Sequence, residues 1–315
     1  MNNTAKKSFA PIHLWATLGA LMCLFSAYIF GQWLLSEEAF RAVPIGPQDT
    51  LPEGGKLTIR VVEVLSSLVA LTALYIYWLR PLIRERKWPL EGLLLLGALI
   101  TYSLDTTINY YDYFMAWNKH AVNFGTWGSF FPGHTGPSEY AEAIFWGPPM
   151  YLYFGVALAS IQRLVVGGSI KIGIKSPIAL FITAFAAAFL FDVIVEGTLV
   201  RLEIYAWPHT IKALTLWAGE TYQFPLYESF LVAIYATMYS YLLRDKDTYG
   251  YTIIERGAQQ FEGHKLIAMR FLAATGFAAL CTALYFIGFN IISLGADNLV
   301  EMPPYLMYSD PNWIR

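Results

Sequence analysis

The chain has 315 residues, 56% of them hydrophobic and only 14% charged, with a mean hydropathy of +0.45 and a formal net charge of −2. Soluble domains carry about a quarter charged residues. This composition therefore excludes an ordinary water-soluble enzyme, and no basic patch suits nucleic acid.

Seven mainly apolar runs lie at about 12–35, 58–80, 90–108, 143–163, 177–200, 222–243 and 268–294. Each is long enough to cross a hydrocarbon core about 30 Å thick as a helix. They predict an all-α, polytopic membrane helix bundle of about seven transmembrane helices. No hydrophilic block divides them, so residues 1–315 read as one integral membrane domain. Lys6 and Lys7 precede the first run as they would in a secretory signal. That run is too long for a signal core and has no small-residue cleavage site, so it reads as a membrane helix. Residues 105–149, between the third and fourth apolar runs, are dense in aromatics, Asn, Gly and Pro. A connector of that length is more often functional than passive. Its aromatics are costly to expose to water and its polar groups costly to expose to lipid, so it reads as an outer loop capping a polar cavity.

Lysine and arginine indicate the orientation, because cytoplasmic loops carry an excess of both. With the N-terminus inside, fourteen of the 21 fall on that side, among them Lys6, Lys7, Arg84, Arg86, Lys87, Lys171, Lys175, Arg244 and Lys246. The other side holds Arg41, Lys56, Arg60, Lys119, Arg201, Lys212 and Arg315. The expectation is a multi-pass protein of the plasma (inner) membrane with a cytoplasmic N-terminus and an outer C-terminus. The stretch 105–149 then lies outside, and 244–270 is a solvated amphipathic connector. Cys23 and Cys281 sit in apolar runs without metal-ligand spacing and read as packing residues.

Ionisable residues within spans are expensive and mark sites or paired contacts. Asp105 lies eighteen residues beyond Lys87, Asp192 seventeen beyond Lys175, Glu228 sixteen before Arg244 and Glu63 seventeen before Arg80. At about 1.5 Å per residue, all four stand roughly 24–27 Å above the inner boundary, a layer just under the outer interface. The alternative for each is an interfacial residue touching headgroup water. Asp105, Asn109 and Asp112 share a face if the third helix continues, at i, i+4, i+7. Asp192, Glu196 and Glu203 fall on another face, with Arg201 near enough to pair. Glu220, Gln223 and Tyr227 follow i, i+3, i+7, with Pro225 in a first turn. Complementing a helix dipole accounts for Glu220 and poorly for Glu228, which reads as deeper.

Carboxyls in an apolar, aromatic cavity can hold a proton near neutral pH, and an ionised neighbour can stabilise an oxocarbenium-like centre. Aromatic faces add cation–π stabilisation. Acid-catalysed cyclisation, dehydration or isomerisation of a lipophilic molecule fits. A metal fits less well, since His13, His120, His134, His209 and His264 lie in separate segments with no HxxxH or HExxH pair. There is no GxSxG for a serine nucleophile. A retinal-binding reading fails because Lys265 lies at the inner end of the last span.

The run LDTTINYYDYFMAWNKHAVNFGTWGSFFPG with FWGPPMYLYFG, and the second block FDVIVEGTLVRLEIYAWP with LTLWAGETYQFPLYE, resemble the AveC-type spirocyclase family. The likeness covers roughly residues 105–155 and 191–228. It implies a membrane-embedded cyclase without a cofactor, of the kind associated with avermectin-type spiroketals. There a dihydroxy-ketone closes to a spiroketal, and some members also dehydrate. The resemblance implies no residue roles, so the roles follow from the chemistry. Asp105 or Glu196 is the expected general acid, and Asp192 or Glu228 the charge stabiliser and base. Asn109, Asp112, Arg201, Glu220, Gln223 and Tyr227 are expected to orient the substrate or a carboxylate, with Trp127, Trp146 and Trp217 as walls. The expected partners are a lipophilic small molecule and the bilayer, and the oligomeric state is open. The rival readings are a different acid-catalysed cyclase of a terpenoid or lipid, a proton- or lipid-coupled transporter, and a non-catalytic receptor or assembly factor. The odd span count, the lack of repeats and the one-sided polarity weigh against transport.

Overall fold

The computed structural model describes residues 9–309. Lys6, Lys7 and Arg315, used above for orientation, lie outside the described residues. The chain is an all-α bundle of seven long helices: α1 (Pro11–Leu34), α2 (Gly55–Glu85), α3 (Leu90–Asn109), α4 (Gly147–Lys171), α5 (Pro177–Arg201), α6 (Leu226–Arg244) and α7 (Gly263–Ser293). They match the seven expected runs with shifted ends. The fourth starts at Gly147 and runs on to Lys171, the sixth starts at Leu226, and the seventh begins at Gly263. Among the described residues, six helices are long and apolar enough to cross a membrane. The seventh, α6, is more polar and sits inside, packed on α4, α5 and α7 with ten buried residues. A helix shielded by other helices need not be apolar all round. By contrast, α5 turns Ile178, Phe181, Ile182, Leu190 and Ile194 outward without cover, a surface that fits a membrane protein.

Local chemistry explains the irregularities. Pro81 has no N–H for the carbonyl of Tyr77 four residues earlier, and α2 widens to a π turn over Tyr75–Leu79. Ser176 caps α5 by accepting a hydrogen bond from the Ala179 N–H, with Pro177 in the first turn. The most extensive helix contact is α1 on α7. It is close because two glycines meet there. A Cβ on Gly19 would lie 1.8 Å from the Leu272 carbonyl oxygen, and one on Gly276 2.1 Å from that of Trp15.

The connectors after α1, α3, α5 and α7 gather at one end and interlock. Ala116–Trp117 pairs antiparallel with Tyr205–Ala206, and His209–Thr210 pairs with Asn298–Leu299. The Lys119 ammonium bonds Asp49 at 3.2 Å, and Asn123 accepts from the Val43 N–H at 2.9 Å. The long connector after α3 is the centre of this layer. Its Trp127 is 2% exposed, donates to the Ser103 carbonyl at 2.7 Å, and packs on Phe30 and Trp33 of α1. Tyr110 closes the turn at Gly133 by donating to the Pro132 carbonyl at 2.6 Å. The expected amphipathic connector at 244–270 is instead a set of turns over 245–262. Arg256 pairs with Asp245 there and Arg270 with Glu255, at 2.7 and 2.6 Å.

Replacing Gly276 by leucine should force α1 off α7 and cost about 1–3 kcal/mol or more, read as a lowered melting temperature in detergent. Gly167→Ala, where a Cβ meets nothing within 4 Å, should be neutral or gain up to about 1 kcal/mol. Equal losses in the two variants would contradict the close crossing.

Candidate functional site

At the interlocked end, α3 tightens into a 3-10 helix over Thr101–Asn109. The hydroxyls of Thr101 and Thr107 bond carbonyls three residues back, Ala98 at 2.7 Å and Leu104 at 2.5 Å, in competition with the regular helical ladder. Three residues per turn places Asp105 on the face of Ile108 rather than of Asn109. Both Asp105 and Ile108 line a cavity walled mainly by aromatic and aliphatic side chains with a few convergent carboxyls, the composition of a small-molecule site. The connector contributes Met115, Trp117 and Trp146, α4 contributes Met150, Tyr151 and Phe154, and α5 contributes Glu196. Tyr205 and Trp207 follow α5, while α6 and α7 close the remaining wall with Glu228, Val232, Tyr235, Thr282, Tyr285 and Phe286. The ribbon sets two of these walls side by side, since Trp117 and Tyr205 are register partners with rings 5.2 Å apart.

Each cavity carboxyl holds a phenol. Tyr151 donates to Asp105 Oδ1 and Tyr285 to Glu228 Oε1, both at 2.8 Å, and Tyr205 donates to Glu196 Oε2. Asp192 does not line the space, but it sits one turn before Glu196, accepts from Ser229 at 2.7 Å and hydrogen-bonds the Glu228 carboxyl. Glu228 Oε2 has no N–H or alcohol donor, and the Glu228 carboxyl is hydrogen-bonded to that of Asp192. Across the cavity Asp105 makes the same kind of contact with Glu142, 1% exposed on the connector before α4. A carboxyl–carboxyl hydrogen bond requires a proton on one partner. Burial first, then the charge of Asp105, raises the Glu142 carboxyl well above the usual range, against a hydrogen bond from Trp117 that favours ionisation.

Among the described residues, no lysine, arginine or histidine lines the cavity. Arg60 binds Glu63 and the His120 carbonyl, and Arg201 lies 4.2 Å over Trp217 and 4.4 Å over Tyr222. A wall of carboxyls and aromatics without cations repels anions and favours a developing positive centre.

Of the expected residues, the structure thus brings together Asp105, Glu196, Glu228 and Trp146 on the wall, with Asp192 behind Glu228. The others lie elsewhere. Asn109 ties the connector, accepting from the Phe114 and Met115 N–H groups at 2.9 Å, because the 3-10 turn redirects it. The 3-10 segment ends at Asn109, so Asp112 shares no helical face with Asp105 and instead contacts His209 Nδ1 at 2.7 Å. Glu203 has φ +56° beyond the end of α5 and accepts from Tyr305. Arg201 therefore stacks on rings rather than pairing with a carboxylate. α6 starts only at Leu226, so Glu220, Gln223 and Tyr227 share no helical face. Glu220 is exposed, and Gln223 clamps the Trp207 carbonyl and Asn298 at 2.8 and 2.5 Å. Tyr227 packs on Phe289 and reaches Ser293 at 3.5 Å. Glu228 falls in the first helical turn, where its charge does suit the dipole. Trp127 packs against α1, and Trp217 is 38% exposed under Arg201. Glu63, expected in the same layer, pairs with Arg60 and accepts from the Val122 N–H at 2.7 Å.

Sequence reasoning missed Glu142 and the three tyrosines. The signal for Glu142 was an acid inside the aromatic run YAEAIFWGPP, with no lysine or arginine in that run to pair with it.

A family model described as Spirocyclase AveC-like matches residues 85–307. No curated protein and no solved structure matches the chain.

Arg201→Ala should cost about 0.5–1 kcal/mol, the scale of an exposed cation–π contact, and leave the fluorescence of the cavity tryptophans unchanged. A collapse of the fold, or an altered cavity signal, would contradict its placement outside the wall.

Proposed function

The chain belongs to the AveC-like spirocyclase family, and from that premise we propose a membrane-embedded cyclase that closes a lipophilic dihydroxy-ketone to a spiroketal without a cofactor. Family membership supports a cyclase role in natural-product biosynthesis. The observation that carries the finer reading is the pair of carboxyl–carboxyl contacts, Asp105–Glu142 and Asp192–Glu228, on an aromatic cavity whose lining has no cation.

The chemistry follows from the wall. One substrate hydroxyl adds to the ketone to form a hemiketal. A protonated carboxyl, Asp105 or Glu196, gives its proton to the hemiketal hydroxyl. The carbon–oxygen bond breaks, water leaves, and an oxocarbenium ion remains. The carboxylate shared between Asp192 and Glu228 and the faces of Trp117, Trp146 and Tyr235 stabilise that charge. The second hydroxyl attacks, and a carboxylate takes its proton. The carbonyl double bond is exchanged for two carbon–oxygen single bonds, with one water released and no net oxidation or reduction. The same acid and base serve a dehydration when a proton is lost next to the cation instead.

The inner half of the bundle weighs against a through-pathway. Gln162, 1% exposed, donates to Ala184 O and Thr237 Oγ1 at 3.1 Å and accepts from Ser240 at 2.5 Å. These inner-half polar groups satisfy each other, and none of them lines the cavity. The aromatic and carboxyl layer belongs on the outer side, with the N-terminus cytoplasmic, as the distribution of basic residues predicts.

Asp192→Asn and Glu196→Gln should each lower turnover by about two orders of magnitude or more in protein that is still folded and membrane-inserted. Wild-type rates in both would remove the carboxylate mechanism. The cavity should also prefer a lipophilic tertiary amine, protonated at neutral pH, over the ether of the same shape by roughly tenfold or more. Quenching of the cavity tryptophans reads this directly. Equal affinity for amine and ether would contradict a site built for a cationic centre.

A further inference from the structure

Glu142 lies outside the helices, yet it is among the most enclosed acids of the protein, 1% exposed. Its backbone is fixed, because Ala143 bridges Asn123 and the Ile144 N–H donates to the Val122 carbonyl at 2.9 Å. Its carboxyl meets two groups, the Trp117 indole and the carboxyl of Asp105. Oε2 finds no N–H or alcohol donor. Asp105 in turn has Tyr151 on Oδ1 and reaches the cavity, whereas Glu142 is not part of its lining.

We infer that Glu142 is a positioning residue that shares one proton with Asp105 through a carboxyl–carboxyl hydrogen bond and so makes Asp105 the acid arm of the cavity. Two enclosed carboxyls in contact cannot both ionise without a counter-charge, so the pair keeps a proton at neutral pH. When Asp105 passes the shared proton to a departing hydroxyl, both carboxyls of the pair are left ionised, and the oxocarbenium ion formed beside them supplies the counter-charge. The proton of the attacking alcohol then restores the pair, and the proton count closes within one turnover. The Glu228 side, with Glu196 and Asp192, is left as the anionic face. The consequence for catalysis rests on the cyclase reading, while the shared proton itself does not.

Infrared spectroscopy of the purified full-length protein in lipid at neutral pH tests the pair without substrate. The wild type should show the carbonyl stretch of a protonated carboxylic acid. Glu142→Gln should remove one such band, and Asp105→Asn should keep that band but shift its frequency. Spectra of Glu142→Gln that superimpose on the wild type would overturn the inference. So would a band in Asp105→Asn at its unchanged position, because Glu142 would then not be bonded to Asp105. A variant that fails to fold is recognised by its lost helical circular dichroism and is replaced by Glu142→Asp, for which a displaced band is expected and an unmoved one is contradictory. Amine binding to the wild-type cavity, measured in parallel, reports on the cyclase reading alone, so either idea can fail while the other stands.

Discussion

Several carboxyls share one aromatic cavity whose lining contains no cation, and the rest of the site follows from that constraint. Enclosed acids must be paired, protonated or hydrogen-bonded. Here they use each other and a set of hydroxyls. Asp105 has Glu142 and Tyr151, Glu228 has Asp192 and Tyr285, and Glu196 has Tyr205. A single arginine in the wall would turn the same carboxyls into salt-bridged anions. Without one, the pairs retain protons to give, and the cavity remains receptive to positive charge. Acid-catalysed closure of a ketal needs both properties.

The fold serves this arrangement by drawing the acids from separate elements. Glu196 and Asp192 come from α5, whose outer face is apolar, and Glu228 from the first turn of the sheltered α6. Asp105 comes from a 3-10 end, and Glu142 from a connector. They converge because the connectors at that end are stitched to one another by short antiparallel pairs and side-chain clamps such as Asn109 and Gln223. Several residues that looked like reagents therefore hold the frame in which the reagents stand.

The seven helical runs and the acids of α5 and α6 were legible because hydrophobic length and buried charge are strong one-dimensional signals. So was the capping role of the aromatic connector. The finer placement was not. Thr101, Ser103 and Thr107 gave no clear sign that α3 would tighten and turn Asn109 and Asp112 away. Pro225 looked like a first-turn residue, but it precedes the helix in a short strand pair, Thr215–Leu216 with Phe224–Pro225. That moved Glu228 to the helix start and removed the common face of Glu220, Gln223 and Tyr227. Arg201 had carboxylates nearby in sequence, yet the rings of Trp217 and Tyr222 captured it. Glu142 was invisible for a different reason. Its partner Asp105 is 37 residues away, and only the tertiary packing of the connector brings them together.

The most direct measurement of the central claim is a metabolite comparison between the source organism and a strain lacking this protein. The account predicts that the deletion strain accumulates an open hydroxy-ketone heavier than the normal product by one water. Wild-type protein should restore the cyclised compound, and Glu196→Gln should not. Accumulation of a precursor differing by a phosphate or by a pair of electrons, or no change in metabolites at all, would contradict it.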